Sequence, residues 1–93
     1  MSIEEVKSKI IPILKQHGAT RAGLFGSVVR GEVGDDSDID ILVEIDKDIS
    51  LLDFVGIKLQ IEEALGKKVD LVEYKAIKSL LRERILNAEV QIL

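Results

Sequence analysis

Two aspartates stand two residues apart in an apolar run, a spacing that suits the binding of a divalent metal ion. Asp38 and Asp40 belong to residues 38–45, where the apolar residues Ile39, Ile41, Val43 and Ile45 alternate with the others. Successive side chains of a β-strand point to opposite faces, so a strand here places both carboxylates on one face. Because residues i and i+2 lie roughly 6.6 to 6.8 Å apart, the pair could hold Mg²⁺ or two ions about 3.5 to 4 Å apart.

A third carboxylate and a glycine-serine pair extend this candidate site. Asp70 lies in a second apolar run, residues 69–73, from which it could complete the metal cage. Gly26 and Ser27 precede Asp38 by about one turn and a loop. Glycine lets the backbone approach a phosphate closely, and a serine hydroxyl with nearby N–H groups can donate to phosphate oxygens. These residues together suit the binding of a metal and a phosphorylated ligand.

Each of these residues also has an ordinary structural explanation. The aspartate pair alone would more often be an exposed strand face or a cap, because exposed carboxylates are common. Asp70 follows two lysines and could merely form a surface ion pair. Arg30 suits phosphate binding, but it could equally pair with Glu32 or Asp35. The co-occurrence of all three carboxylates with the glycine-serine pair favours the metal site.

Capping residues and periodicity predict the elements that position these groups. Ser2 and Ser50 each stand three residues before an acidic residue and cap helices, Ser79 is predicted to cap a third, and Pro12 should kink or split the first. The predicted helices cover residues 3–17, 51–65 and 79–87, and the predicted strands cover residues 21–25, 38–45, 69–73 and 90–93. A polar, glycine-rich loop is expected at 31–37. This order predicts an α/β (α+β) fold with a small mixed sheet covered by helices.

Length and composition narrow the class of protein. The 93 residues predict one domain, 1–93, and the absence of cysteine excludes a disulfide framework and a thiolate zinc site. No apolar run is long enough to span a membrane and Met1 begins no signal-peptide pattern, so a soluble cytoplasmic protein is expected. The net charge of −4 and only three aromatic residues disfavour nucleic acid as a partner. One of those aromatics, Tyr74, is expected to pack at a strand end.

Three better-known binding motifs are not matched, because the residue types that they require are missing at the required positions. The run Gly26–Gly31 begins like a phosphate-binding P-loop, but Glu32 and Val33 stand where lysine and serine or threonine are required. An EF-hand beginning at Asp36 would need glycine and glutamate where Ile41 and Lys47 occur. No G-x-G-x-x-G segment follows a strand, so a Rossmann dinucleotide site has no support.

The spaced motif resembles that of the minimal nucleotidyltransferases, within the DNA polymerase beta-like nucleotidyltransferase superfamily. Its parts are Gly26-Ser27, Arg30-Gly31, Asp38-Ile39-Asp40 and Val69-Asp70-Leu71-Val72, and the resemblance runs from about Ile13 to Leu93. The resemblance implies a nucleotidyltransferase-like fold. It also implies that Gly26 and Ser27 hold the nucleotide's phosphates, Asp38 and Asp40 the metal, and Asp70 the metal side facing the acceptor. Mg²⁺ is the expected ion, with Mn²⁺ as the alternative that three oxygen ligands do not distinguish.

Two classes of function follow from the resemblance. In the first, the chain transfers AMP from ATP to a hydroxyl, a tyrosine of an all-helical HEPN toxin with which it assembles, and so acts as an antitoxin. In the second, it is a non-catalytic antitoxin that masks this helical partner. The set of three carboxylates favours the enzyme, because their mutual repulsion must be offset by metal. Polymerase-like extension of nucleic acid is a minor third hypothesis, opposed by the acidic net charge.

Overall fold

A computed structural model of the chain describes residues 2–31 and 38–93. Its elements are α1 (Ile3–Gln16), β1 (Ala19–Phe25), α2 (Ser27–Arg30), β2 (Ile39–Ile45), α3 (Leu51–Leu65), β3 (Val69–Glu73), a 3₁₀ turn (Tyr74–Ala76), α4 (Ser79–Ala88) and β4 (Val90–Gln91). The predicted loop at 31–37, after Gly31, lies outside the described residues, as do Glu32 and Asp35, the alternative partners of Arg30.

The described strands form a mixed four-stranded sheet in the order β3-β2-β1-β4. β2 and β3 are parallel, whereas β1 is antiparallel to both β2 and β4. Helices α1 and α3 cover one face, where Ile39, Ile41 and Val43 are fully buried. Helix α4 covers part of the other face, where Ile85 and Leu86 pack against a smaller cluster that includes Leu42. The predicted fold class is therefore confirmed.

Side-chain caps start two of the helices as predicted, but the prediction of a third cap, at Ser79, was wrong. The Glu5 N–H donates to Ser2 Oγ and the Asp53 N–H donates to Ser50 Oγ, each at 3.1 Å. Ser79 is instead the first residue of α4, and Lys78 is its N-cap without a side-chain hydrogen bond. The reason is that Lys78 keeps an extended backbone and its carbonyl accepts the first helical hydrogen bond, 2.9 Å from the Leu81 nitrogen.

Pro12 does not split the first helix, contrary to one of the two predicted outcomes. α1 continues across Pro12, which is exposed. The buried side chains Val6, Ile10 and Leu14 lie on both sides of it. Full burial of such a side chain stabilises by about 1.5–3 kcal/mol, so the three together outweigh the cost of an interior proline, about 3 kcal/mol.

Helix α3 has apolar residues on two faces. Ile57, Ile61 and Leu65 are buried against the sheet. The apolar residues on its outer side are exposed to solvent, and they are Leu51, Leu52, Val55 and Leu59. Apolar content alone therefore located the helix but did not show which face packs. Among residues 2–31 and 38–93, no helix is both long and apolar enough to cross a membrane.

Candidate active site

Two of the three predicted aspartates lie side by side on the sheet. Burial of Ile39 and Ile41 against the helices turns Asp40 to the opposite face, as strand alternation requires. Asp40 is in register with Asp70 on the adjacent parallel strand, and neighbouring strands are about 4.8 Å apart. Asp38 is exposed and immediately precedes β2. The parallel pairing thus brings a carboxylate from each strand to the same edge of the sheet.

Gly26 lies against the carboxylate of Asp40. It directly follows Phe25, the last residue of β1, and Phe25 is paired with Asp40 on β2. Its backbone has φ 74° and ψ −143°, a combination that is essentially restricted to glycine. A Cβ atom at this position would collide with Asp40 Oδ2. Glycine is therefore required here for two reasons, the backbone conformation and the space that Asp40 occupies.

Ser27 and Arg30 occupy the two ends of a single helical turn that starts beside Asp40. The Gly26 carbonyl accepts hydrogen bonds from the Val29 and Arg30 nitrogens at 3.2 and 3.3 Å. Ser27 is half-buried as the first residue of α2, and Arg30 is exposed as the last. The predicted turn after Gly26 is thus present. Gly26 contacts the Asp40 carboxylate, Ser27 is the next residue, and Arg30 is close enough to lower the pKa of Asp40.

The carboxylates share one electrostatic field. Burial raises the pKa of Asp40, and the nearby negative charges of Asp70 and then Asp38 raise it further, whereas Arg30 lowers it. The other three predicted charged residues, Asp38, Asp70 and Arg30, are therefore close enough to act on the carboxyl group of Asp40. A cation placed among them would reverse the repulsion.

The donor set matches a divalent metal in its chemistry. Carboxylate oxygens suit Mg²⁺ and Mn²⁺. Such an ion would offset the negative charges of Asp70 and Asp38, which add to burial in raising the pKa of Asp40. Within residues 2–31 and 38–93, no three His, Cys, Asp or Glu side chains already converge closely enough to hold a metal. The site therefore has suitable donors for a metal but not a preassembled cage.

Farther along the same face, a polar cluster joins residues that sequence reasoning did not connect. The Tyr74 hydroxyl donates to Glu89 Oε2 at 2.7 Å, and Arg21 Nη2 donates to Glu89 Oε1 at 3.0 Å. The Arg21 guanidinium lies 4.2 Å from the Tyr74 ring centroid. Burial, and then the hydrogen bond to Glu89, raise the pKa of Tyr74.

Tyr74 is buried, so its predicted role in packing is confirmed. One signal in the sequence was available for the cluster. Gly23 interrupts β1, and a Cβ atom there would collide with the carboxylate of Glu89. A glycine inside a strand often marks such a close approach.

Comparison with known proteins places the chain among nucleotidyltransferases. Residues 8–93 match the family described as polymerase beta, nucleotidyltransferase. The chain is 54% identical over 93 residues to a protein of Methanocaldococcus jannaschii provisionally named a protein adenylyltransferase, with 100% of both chains covered. It is 36% identical over 96 residues to the protein adenylyltransferase MntA of Thermococcus cleftensis, with 99% of this chain and 97% of the relative covered.

Solved structures agree with these matches. A protein provisionally described as a minimal nucleotidyltransferase has a TM-score of 0.83 and 36% identity, with 97% of this chain and 95% of that chain covered. A chain in the crystal structure of a toxin–antitoxin with AMP-PNP has a TM-score of 0.82 and 26% identity, with 94% and 72% covered. The resemblance that the motif indicated and the predicted nucleotidyltransferase-like fold are both confirmed.

Proposed function

Because the chain belongs to the polymerase beta nucleotidyltransferase family, we propose that this nucleotidyltransferase moves AMP from ATP to a hydroxyl group of a protein. The observation that carries the proposal is the pairing of Asp40 with Asp70, with Gly26 lying against Asp40. The relatives named protein adenylyltransferases support AMP as the transferred group and a protein as its acceptor.

Each residue of the site has a proposed part in the transfer. The Gly26 backbone and the Ser27 hydroxyl bind the β- and γ-phosphate oxygens, and Arg30 offsets phosphate charge. The acceptor oxygen forms a bond to the α-phosphorus, the bond from this phosphorus to the bridging oxygen breaks, and pyrophosphate leaves. Asp70 takes the proton of the acceptor hydroxyl.

Asp38 and Asp40, with Asp70 on the side that faces the acceptor, would hold Mg²⁺ or Mn²⁺. The bound ion supplies charge neutralisation at the triphosphate. The field around Asp40 supports this assignment, because a raised carboxyl pKa between like charges is what metal binding relieves.

We further propose that the acceptor is a tyrosine of a HEPN toxin, and that the chain is its antitoxin. The similar chain in a toxin–antitoxin structure with AMP-PNP supports a toxin as partner and ATP as the substrate, and the resemblance of the motif implies a toxin of the HEPN type. The alternative is an antitoxin that only masks its partner. A purely binding surface has no need for carboxylates that repel one another, so the register of Asp40 with Asp70, with Asp38 nearby, favours the enzyme.

The decisive experiment measures the intact mass of the proposed HEPN partner protein, after incubation with the chain, ATP and Mg²⁺. We expect a gain of whole AMP units with the unmutated chain and none with Asp38→Asn/Asp40→Asn, which should still fold and bind the partner. Asp46→Asn/Asp48→Asn is the matched control, because these exposed aspartates have the same spacing and follow β2. Full transfer by the Asp38/Asp40 variant would contradict the proposal, and a stable complex without any mass gain would favour masking.

A further inference from the structure

Positive charge is concentrated in residues 75–84, which run from the end of the 3₁₀ turn, through Ile77 and the N-cap Lys78, into the first half of α4. This segment has four of the chain's 13 lysines and arginines but one of its 17 acidic residues, Glu83. Within the described part of the chain, Lys78, Arg82 and Arg84 form no ion pair. Lys75 pairs with Glu73 at 3.5 Å and is largely exposed. In a chain of net charge −4, this is a local basic surface.

Two leucines project from the same surface. Leu80 is 96% exposed and Leu81 is 47% exposed. α4 has no buried residue, and it packs on the sheet through its second half, where Ile85 and Leu86 contact the smaller core cluster. The first half of the helix therefore presents unpaired cations together with uncovered apolar side chains. Such a combination is typical of a protein interface.

The start of α4 lacks the charges that normally stabilise a helix. Its first turn contains no acidic residue, and the N-cap Lys78 makes no side-chain hydrogen bond. The partial positive charge of a helix N-terminus favours anions and disfavours Lys78 and Arg82. Acidic side chains of a bound partner would supply the missing negative charge.

This surface lies on the sheet face that also holds the catalytic carboxylates. Leu42 packs under α4. It lies two residues after Asp40 in β2, so the two side chains point to the same face of the sheet. Glu73, the ion-pair partner of Lys75, ends β3 about 10 Å along the strand from Asp70. A pocket of about 390 Å³ opens there, and Glu73, Lys75 and Arg82 contribute to its lining. A protein docked on residues 75–84 would have to span at least about 10 Å along β3 to reach Asp70.

We propose that residues 75–84 form the docking surface for the acceptor protein, which contacts it through an acidic segment that carries apolar side chains. The inference rests on the proposed function, since it takes the acceptor to be a protein. Uncovered leucines favour a protein over a nucleic acid, because a nucleic-acid platform uses exposed aromatic side chains, and Tyr74, the aromatic residue adjoining this segment, is buried.

A second apolar surface provides the matched control. Leu51 and Leu52 form a leucine pair at the start of α3, 78% and 80% exposed, much as Leu80 and Leu81 do at the start of α4. α3 packs on the sheet face opposite to the aspartates. A contact there would not direct an acceptor toward Asp70.

The test measures binding of the proposed HEPN partner protein, by calorimetry and without nucleotide, over a range of salt concentrations. We expect Leu80→Ser/Leu81→Ser and Lys78→Glu/Arg82→Glu each to raise the Kd at least tenfold. The charge reversal should also flatten the salt dependence, because fewer ion pairs form. Leu51→Ser/Leu52→Ser and Lys7→Glu/Lys15→Glu, exposed residues of α3 and α1, should bind like the unmutated chain. Circular dichroism checks that each variant is folded.

Transfer kinetics separate this inference from the proposed function. The α4 variants should raise the KM for the acceptor protein more than they lower kcat, whereas Asp38→Asn/Asp40→Asn should remove kcat. Binding that depends on residues 75–84 without AMP transfer would reject the proposed function and keep the docking surface.

Three outcomes would overturn the docking surface. The first is unchanged binding by both α4 variants. The second is that Leu51→Ser/Leu52→Ser loses binding while the two α4 variants keep it. The third is that a fluorescent single-stranded oligonucleotide binds the unmutated chain but not Lys78→Glu/Arg82→Glu, while this variant still binds the HEPN protein normally.

Discussion

At the scale of single residues, the geometry of the site depends on Gly26. Any other residue would be strained at its positive φ and would displace the carboxylate of Asp40. We expect Gly26→Ala to cost about 1–3 kcal/mol of stability from backbone strain. It should also lower kcat/KM for AMP transfer by about 100-fold, the effect of moving a catalytic group by roughly 1 Å. Urea unfolding and transfer kinetics measure the two effects.

Gly66→Ala separates strain from displacement of Asp40. Gly66 also has a positive φ, 68°, but a Cβ atom there has nothing within 4 Å. The variant should lose about 1–2 kcal/mol from the left-handed backbone and keep its transfer rate under conditions where it is folded. Equal loss of activity in both variants would show that Gly26 acts through stability alone.

At the scale of elements, Glu89 attaches the C-terminal part of the chain to the sheet. It lies between α4 and β4, its side chain is 6% exposed, and it bonds both Tyr74 and Arg21. Glu89→Ala would leave a buried hydroxyl and a half-exposed guanidinium without this partner. We expect a loss of about 2–3 kcal/mol, below the value for a fully buried pair because Arg21 reaches solvent.

Glu73→Ala provides the comparison for this prediction. It breaks the ion pair with Lys75, whose side chain is 81% exposed, and should cost about 0–1 kcal/mol. Urea unfolding of the two variants gives the difference directly. Similar midpoints for both would mean that the Glu89 cluster adds no more than a surface pair.

The elements themselves were largely predictable, and the failures have physical causes. Ser2 and Ser50 cap their helices through contacts within four residues, so short sequence patterns located both starts. The predicted split of α1 at Pro12 was wrong, because the proline's destabilising effect is local, whereas the burial that outweighs it comes from contacts with α3 and the sheet. The exposure of Leu51 and Leu52 was likewise not predictable from the sequence, because apolar residues on both sides of α3 left its buried face ambiguous.

At the scale of the whole molecule, the charged site opposes folding. The pKa of Asp40 is raised in the folded chain, so the folded state holds its proton more tightly than the unfolded state. Stability from this group is therefore present below its unfolded pKa, about 3.9, and is lost as the pH rises through the higher folded pKa. Asp40→Asn should consequently raise the melting temperature at pH 7 in EDTA, and the gain should vanish near pH 3.

Thermal unfolding at the two pH values, with and without Mg²⁺, checks this prediction. Asp48→Asn, an exposed aspartate beyond β2, is the control for removal of a charge. Mg²⁺ should stabilise the unmutated chain more than Asp40→Asn, because a bound ion favours the folded state. A lower melting temperature for Asp40→Asn at pH 7 in EDTA would contradict the sign of the linkage.

Patterns that are local in the sequence specify the elements and one face of the site. Alternation in residues 38–45 put Asp40 opposite the buried isoleucines, and the spaced motif indicated the family, because both depend on order along the chain. Two further features come from the folded chain: Asp70 lies in register with Asp40, and Arg21 bonds Glu89, 68 residues away. Strand register and long-range contacts follow from how helices and strands pack together, which local periodicity does not specify.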